Sequence, residues 1–271
     1  MITIKGRFAT YGEVWFDEDP PAAPAVDVLT FRGRCAPLGD EAWSPFSSLV
    51  HDLTVDPEKL FATFDSTARY EVRRAQSRDR LSTEFFTDPG AALDGFCAFY
   101  DVFARHKGLP PSYRRALRAT CDAGRLVLTS ASRDGSPLVW HAYVTDGRTA
   151  ALLHSASHFR AASAANRALL GRANRWLHWR DMLGFKDMGV ATYDWGGLFD
   201  DESVPEQASV NRFKRRFGGR PHRAYTAVAM LTVKGRAYRA VRSMVECVSN
   251  ARRVVRNACA NGARSALRLT S

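Results

Sequence analysis

An α/β (α+β) fold, with a mixed and mainly antiparallel sheet flanked by helices, is predicted by three features of the sequence. From residue 81 the hydrophobic period alternates in the order strand, helix, helix, three strands, long helix, strand, helix, strand. Asp134-Gly135 and Asp146-Gly147 separate β-rich runs and are hairpin-turn dipeptides, so the three central strands run antiparallel. After Ser163 a long helical pattern places Leu169, Ala173, Trp176, Leu177 and Leu183 on one face, enough to cover such a sheet.

The elements follow in order. Before residue 55 the chain is irregular and strand-rich, with strands expected at 13–16, 26–31 and 48–53; Asp19-Pro20-Pro21-Ala22-Ala23-Pro24 is a stiff loop between the first two. Asp56-Pro57 combines a good N-cap with the residue that suits the first helical position, and Leu60, Phe61 and Phe64 follow at helical spacing. A second helix starts at Ser66 and carries Arg69, Tyr70, Arg73 and Arg74. A strand over 81–86 precedes a helix that bears Leu93, Phe96, Cys97, Tyr100 and Phe103 and ends near Gly108-Leu109-Pro110-Pro111. The next helix, 112–123, stops at Gly124. Strands at 125–132, 138–145 and 148–157 form the two hairpins. After the long helix, an apolar strand over 190–195 runs into Gly196-Gly197, a short helix covers 210–217, and a strand at 222–231 closes the sheet.

Composition narrows the function classes. With 271 residues, 45% hydrophobic and 25% charged, the chain lies in the globular range, and no apolar stretch approaches the roughly 20 residues needed to cross a bilayer. The start lacks an apolar segment with a small-residue cleavage site, so a cytoplasmic location is expected. Five cysteines without a CxxC pair are expected to be reduced thiols. The net charge is +11, but 232–271 holds nine Lys/Arg against Glu246 alone, which leaves only +3 for the preceding residues. Charge therefore points to a polyanionic partner through the tail only. There 237, 241, 244, 248, 251 and 255 form an apolar stripe opposite arginines, suited to tRNA, to peripheral contact with an anionic membrane, or to packing on the chain's own body.

Tyr193-Asp194-Trp195-Gly196-Gly197 followed by Phe213-Lys214-Arg215-Arg216-Phe217-Gly218-Gly219 resembles the paired YDxGG and FKxxFGG ending of the Fem transferases. These are GNAT-like enzymes that add amino acids to peptidoglycan precursors. His51-Asp52-Leu53 with the stretch 69–75, and Ser157-His158-Phe159-Arg160 leading to Trp176 and Trp179, look similar to the same family. The resemblance covers about 48–231. It implies a GNAT (acyl-CoA N-acyltransferase-like) domain over 81–231, a reduced N-terminal subdomain over 1–80 that takes part in acceptor binding, and a basic amphipathic helical tail over 232–271. Fem enzymes carry two complete GNAT-like domains, so the first 80 residues depart from the pattern. GNAT-like acyltransferases of polysaccharide and cell-envelope pathways share the same ending.

The expected reaction is amide formation, with an aminoacyl group passed from aminoacyl-tRNA to an amine of a cell-envelope or secondary-metabolite precursor; the alternative is acyl-CoA-dependent transfer to an amino sugar or similar small-molecule amine, and no bound cofactor or metal is expected. A non-catalytic RNA- or membrane-binding protein is the third possibility. Lys214 matches the family lysine that steadies the tetrahedral intermediate, and is otherwise a surface lysine of a basic helix. Asp194, at the end of an apolar strand, either orients the amine or caps the next loop. A two-residue turn at Asp146-Gly147 would pair Thr145 with Arg148, set His141 opposite Leu152 and place His154 on the same face, as a general base or as packed histidines. Arg160, Asn166, Arg167 and Phe213 are donor-binding candidates, with Arg172 and Arg175 beside them; Arg69, Tyr70, Arg73 and His141 are acceptor-binding candidates. The stretch 158–166 lacks the glycines with which acyl-CoA enzymes cradle pyrophosphate, which favours the tRNA donor. Zinc ligands do not cluster in the sequence. The Trp195 strand and the Phe213 helix are expected to lie side by side and frame the transfer slot.

Overall fold

The structure, a computed structural model, describes residues 1–158, 163–238 and 240. Ten strands form one sheet: β1 (Ile2–Lys5), β2 (Thr10–Trp15), β3 (Val28–Arg34), β4 (Ser44–Asp52), β5 (Leu81–Phe86), β6 (Leu126–Arg133), β7 (Ser136–Thr145), β8 (Thr149–Ser157), β9 (Thr192–Gly197) and β10 (Arg220–Met230). Their order is β1-β2-β3-β10-β4-β9-β8-β7-β6-β5. Only β2 with β3 and β8 with β9 run parallel; the other pairs are antiparallel, as the hairpin signals predict. Because β10 lies between β3 and β4, residues 1–80 and 81–231 share this sheet.

Among the described residues, six helices besides the start of the tail helix flank it. α1 (Pro57–Ala62) begins on its proline, but Asp56 makes no side-chain cap bond to it; α2 (Ser66–Arg78) is capped by Asp65, which accepts from Ala68 N at 2.7 Å. α3 (Leu93–Lys107) ends on left-handed Gly108, and α4 (Arg114–Asp122) stops just before Gly124. α5 (Ala164–Asp187) is capped by Ser163, and α6 (Pro205–Arg215) follows β9. One face of the sheet packs against α2 and α5 through Phe64, Val72, Trp176, Trp179, Met182, Phe185 and Trp195. The other face packs against α3 and α4 through Leu93, Phe96, Leu117, Leu128 and Trp140. Ile2 and Ile4 of β1 join Val144 and Ala151 there and meet Ala116 and Ala119, so the β1 edge folds back over α4.

The first hairpin matches expectation: Asp134 and Gly135 both take positive φ, and Arg133 pairs with Ser136. The second does not. Asp146 Oδ1 accepts from the N–H of both Arg148 and Thr149, which opens the turn to four residues and pairs Thr145 with Ala150. An irregularity between Ala142 and Tyr143 then sets His141 opposite Ser155 and His154 opposite Ala142. The two histidines therefore project from opposite faces of the sheet, which corrects the shared-face expectation. Residues 233–238 begin the tail as a helix; the remainder of that predicted element lies outside the described residues. No helix among the described residues is long and apolar enough to cross a membrane.

Candidate functional site

The parallel pairing of β8 with β9 covers Thr149↔Thr192, Ala150↔Tyr193 and Ala151↔Asp194, and stops there. β9 then leans toward β4, where Ser48 meets Gly197 and Leu198 N donates to Ser47 O at 2.7 Å. Gly196 permits the departure. Its φ is +68°, and a Cβ would sit 2.8 Å from the Leu152 carbonyl oxygen. Beyond this fork, residues 152–157 keep β7 on one side and, among the described residues, have no strand on the other. An unpaired edge inside a sheet offers N–H and C=O groups for an extended ligand to complete.

Lys214 lies at the end of the fork. Its Nζ donates to Gly197 O at 2.8 Å and to Gly196 O at 3.4 Å. Burial lowers its pKa from 10.5 to about 8, against the pull of the nearby Asp194 carboxylate. Asp194, 8% exposed, accepts from Ser48 Oγ and from Gly196 N at 2.8 Å. Burial raises its pKa, opposed by those two bonds and by the charges of His222 and Lys214. Asp194 thus ties down the turn whose carbonyls seat the ammonium.

On the α5 side of the fork lies a dry polar network. Tyr143 donates to Asp181 Oδ2 at 2.6 Å, and His141 Nδ1 lies 2.7 Å from the same oxygen. The Tyr143 and Tyr193 hydroxyls are 2.8 Å apart, and His178 Nδ1 is 2.8 Å from Tyr193. Since Tyr143 spends its one proton on Asp181, Tyr193 donates to Tyr143 and His178 donates to Tyr193, so every dipole points to one carboxylate. Burial, reinforced by the His141, Lys214 and Arg175 charges, pushes His178 well below its usual pKa. Burial and the Asp181 charge push both phenols well up. Asn174 Oδ1 links His141 Nε2 at 2.8 Å to Ser155 Oγ at 3.4 Å, so the network reaches the unpaired part of β8. His141, His178 and Asp181 present ligand-type atoms within 4.8 Å of one another; the two tyrosine hydroxyls bond His141 Nδ1, Asp181 Oδ2 and His178 Nδ1, while Asp181 Oδ1 is buried without a hydrogen-bond partner.

The structure gathers only some of the predicted residues. Lys214 and Asp194 meet at the fork. His154 lies on the unpaired stretch of β8 but turns to α3, its ring 4.6 Å from that of Tyr100, and burial lowers its pKa. His141 is wholly buried in the network, so it does not line an acceptor surface. Arg69 donates to the Ala62 and Phe64 carbonyls, Tyr70 OH accepts from Arg74 at 3.1 Å, and the Arg73 guanidinium lies 5.3 Å from the Phe61 ring centroid; all three serve α1 and α2. Asn166 and Arg167 are exposed on the first turn of α5, and Arg160 lies outside the described residues. Arg172 and Arg175 pair with Asp79 at 2.6 Å and Glu71 at 2.9 Å, which removes them from a free basic helix face.

Phe213 is not a free stacking surface either, because Arg175 covers its ring at 4.9 Å. The slot expected between the Trp195 strand and the Phe213 helix is filled. The two segments are adjacent, with rings 6.3 Å apart, but His178, Trp195 and Phe217 are at most 1% exposed and pack into the gap. The unpaired stretch of β8 lies on the other flank of β9. Ser48, Tyr143, Asn174, His178 and Asp181 are not singled out by the sequence, and Tyr193 figures there only as the first residue of the YDWGG motif. Their signal was a polar stripe at 174, 178 and 181, with helical spacing inside the otherwise apolar face of α5.

Sheet, crossover helix and fork together define the GNAT fold in its Fem-like arrangement. Among solved structures, FemX aligns at 15% identity and a TM-score of 0.55 over 68% of this chain, which spans 61% of the FemX chain. The C-terminal domain of a putative lysylphosphatidylglycerol synthetase from Agrobacterium fabrum aligns at 13% identity over 74% of this chain and 67% of its own, with a TM-score of 0.48. L-PGS from Bacillus licheniformis gives 11% identity, 76% and 68% coverage, and a TM-score of 0.45. No family model and no curated protein match the chain. At these identities the likeness to FemX speaks for the fold.

Proposed function

We propose that the protein is a Fem-type N-acyltransferase that passes an aminoacyl group from aminoacyl-tRNA to an amine of a cell-envelope or secondary-metabolite precursor. The observation that carries this reading is the fork: an unpaired stretch of β8, with a lysine ammonium seated at its open end. An extended donor arm completes the β8 edge and brings its ester carbonyl toward Gly196-Gly197. An ammonium has three N–H donors, and two of those on Lys214 are held by glycine carbonyls, which leaves one for the oxyanion. The amine attacks, a C–N bond forms and the ester C–O bond breaks. The departing ribose oxygen takes the proton that the nitrogen sheds, so no side-chain base is needed. The fixed carbonyls and the tie through Asp194 hold the cation before the charge develops.

A single-turnover assay with labelled aminoacyl-tRNA and labelled acetyl-CoA, scanned over candidate amines, tests the proposal. Label transferred from tRNA to an amine is the expected result. Transfer from acetyl-CoA alone would replace the donor, and RNA binding without transfer to any amine would leave a binding protein on an enzyme scaffold.

A further inference from the structure

We infer that the groove between β1 and helices α3 and α4 binds a small molecule carrying adjacent phosphates. Its volume is about 780 Å³, within the range of small-molecule sites and far larger than one phosphate requires. Lys5 stands on the β1 wall, and Arg114, Arg115 and Arg118 on the α4 wall; Asp94 and Asp122 also line the groove, so the four cations outnumber two carboxylates. Arg114 is shared between Asp94 at 3.4 Å and Asp101 at 3.3 Å. Lys5, Arg115 and Arg118 have no acidic partner among the described residues, whereas Arg125, Arg172 and Arg175 elsewhere are each matched to a carboxylate.

The helix itself adds a second, independent sign. α4 places Arg114 and Arg115 in its first turn, with no acid of its own there and no side-chain cap from Tyr113, although Asp101 of α3 accepts from Ser112 N at 2.7 Å just ahead of it. The helix dipole opposes cations at that end and favours an anion. A bound phosphate would satisfy both the dipole and the arginines. Cations from two facing walls call for more than one anionic group, hence adjacent phosphates. Leu93, Cys97 and Ala119 supply an apolar floor for the organic part of the molecule.

Calorimetric titration with inorganic pyrophosphate at low ionic strength tests the assignment. Wild-type protein should bind, and both Lys5→Ala and the double variant Arg115→Ala/Arg118→Ala should bind at least about tenfold more weakly. Arg223→Ala, an exposed arginine of β10 outside the groove, should bind as wild type. Melting temperatures should hardly move, because all four positions are exposed; if the double variant does not fold, Lys5→Ala alone decides. Absent binding, equal affinity in the variants, or inorganic phosphate binding as tightly as pyrophosphate would each overturn the inference. Binding of tRNA through these residues with no response to pyrophosphate would overturn it too, in favour of a polyanion surface.

Discussion

Lys214 shows how one residue is set by its surroundings. Its charge is partly desolvated yet held by two carbonyls, so its pKa falls to about 8 and it remains mostly protonated at pH 7. As an oxyanion donor it should lose its effect as pH rises through that value. With the deprotonated amine in excess, turnover should fall above about pH 8, and a profile that keeps rising past pH 9.5 would contradict the role. Lys214→Met should lower turnover by about 100-fold or more, read as single-turnover rate, with folding intact. Tyr143→Phe makes a different prediction. It strips Asp181 of a donor and Tyr193 of an acceptor inside a dry site, so it should cost about 1–3 kcal/mol in denaturant unfolding.

Among the elements, the β8–β9 fork depends on one backbone conformation. Gly196→Ala places a methyl 2.8 Å from a carbonyl oxygen at φ +68°, so it should destabilise the protein by about 1–3 kcal/mol. Unchanged unfolding free energy would show that the fork does not need this glycine. The β7–β8 hairpin teaches a lesson about legibility. Asp146-Gly147 was readable as a turn, but its length was set by the Asp146 carboxylate capping two N–H groups and by Ala191 and Thr192 both donating to the Arg148 carbonyl. The second influence arrives from more than forty positions away in the chain, and local spacing carries no trace of it. In α5 the apolar stripe was legible, yet Asn174, His178 and Asp181 gained meaning only once Tyr143 and Tyr193 were brought to them by two strands.

At the scale of the whole molecule, buried histidines couple stability to acid. His51 is 3% exposed, and burial lowers its pKa from 6.5 to about 4; His154 and His178 are shifted the same way. Between pH 6.5 and 4 the unfolded chain binds protons that the folded chain refuses, so stability is full above pH 6.5 and falls as pH drops through this window. For His51 alone the loss is on the order of 3 kcal/mol. The melting temperature should decline across this range, and His51→Gln should flatten part of the decline.

Apart from the unforeseen β1, the linear order of strands and helices, the hairpin at Asp134-Gly135, the helix start at Pro57 and the paired glycine motifs are properties of neighbours in the chain, and the sequence alone determined them. Only the tertiary structure decided that β10 enters between β3 and β4, that Arg175 covers Phe213, and that aromatic side chains close the gap beside Trp195 while a fork opens along β8. Propensity, capping and turn chemistry act over a few residues, whereas desolvation and side-chain packing depend on partners that folding brings from anywhere in the chain.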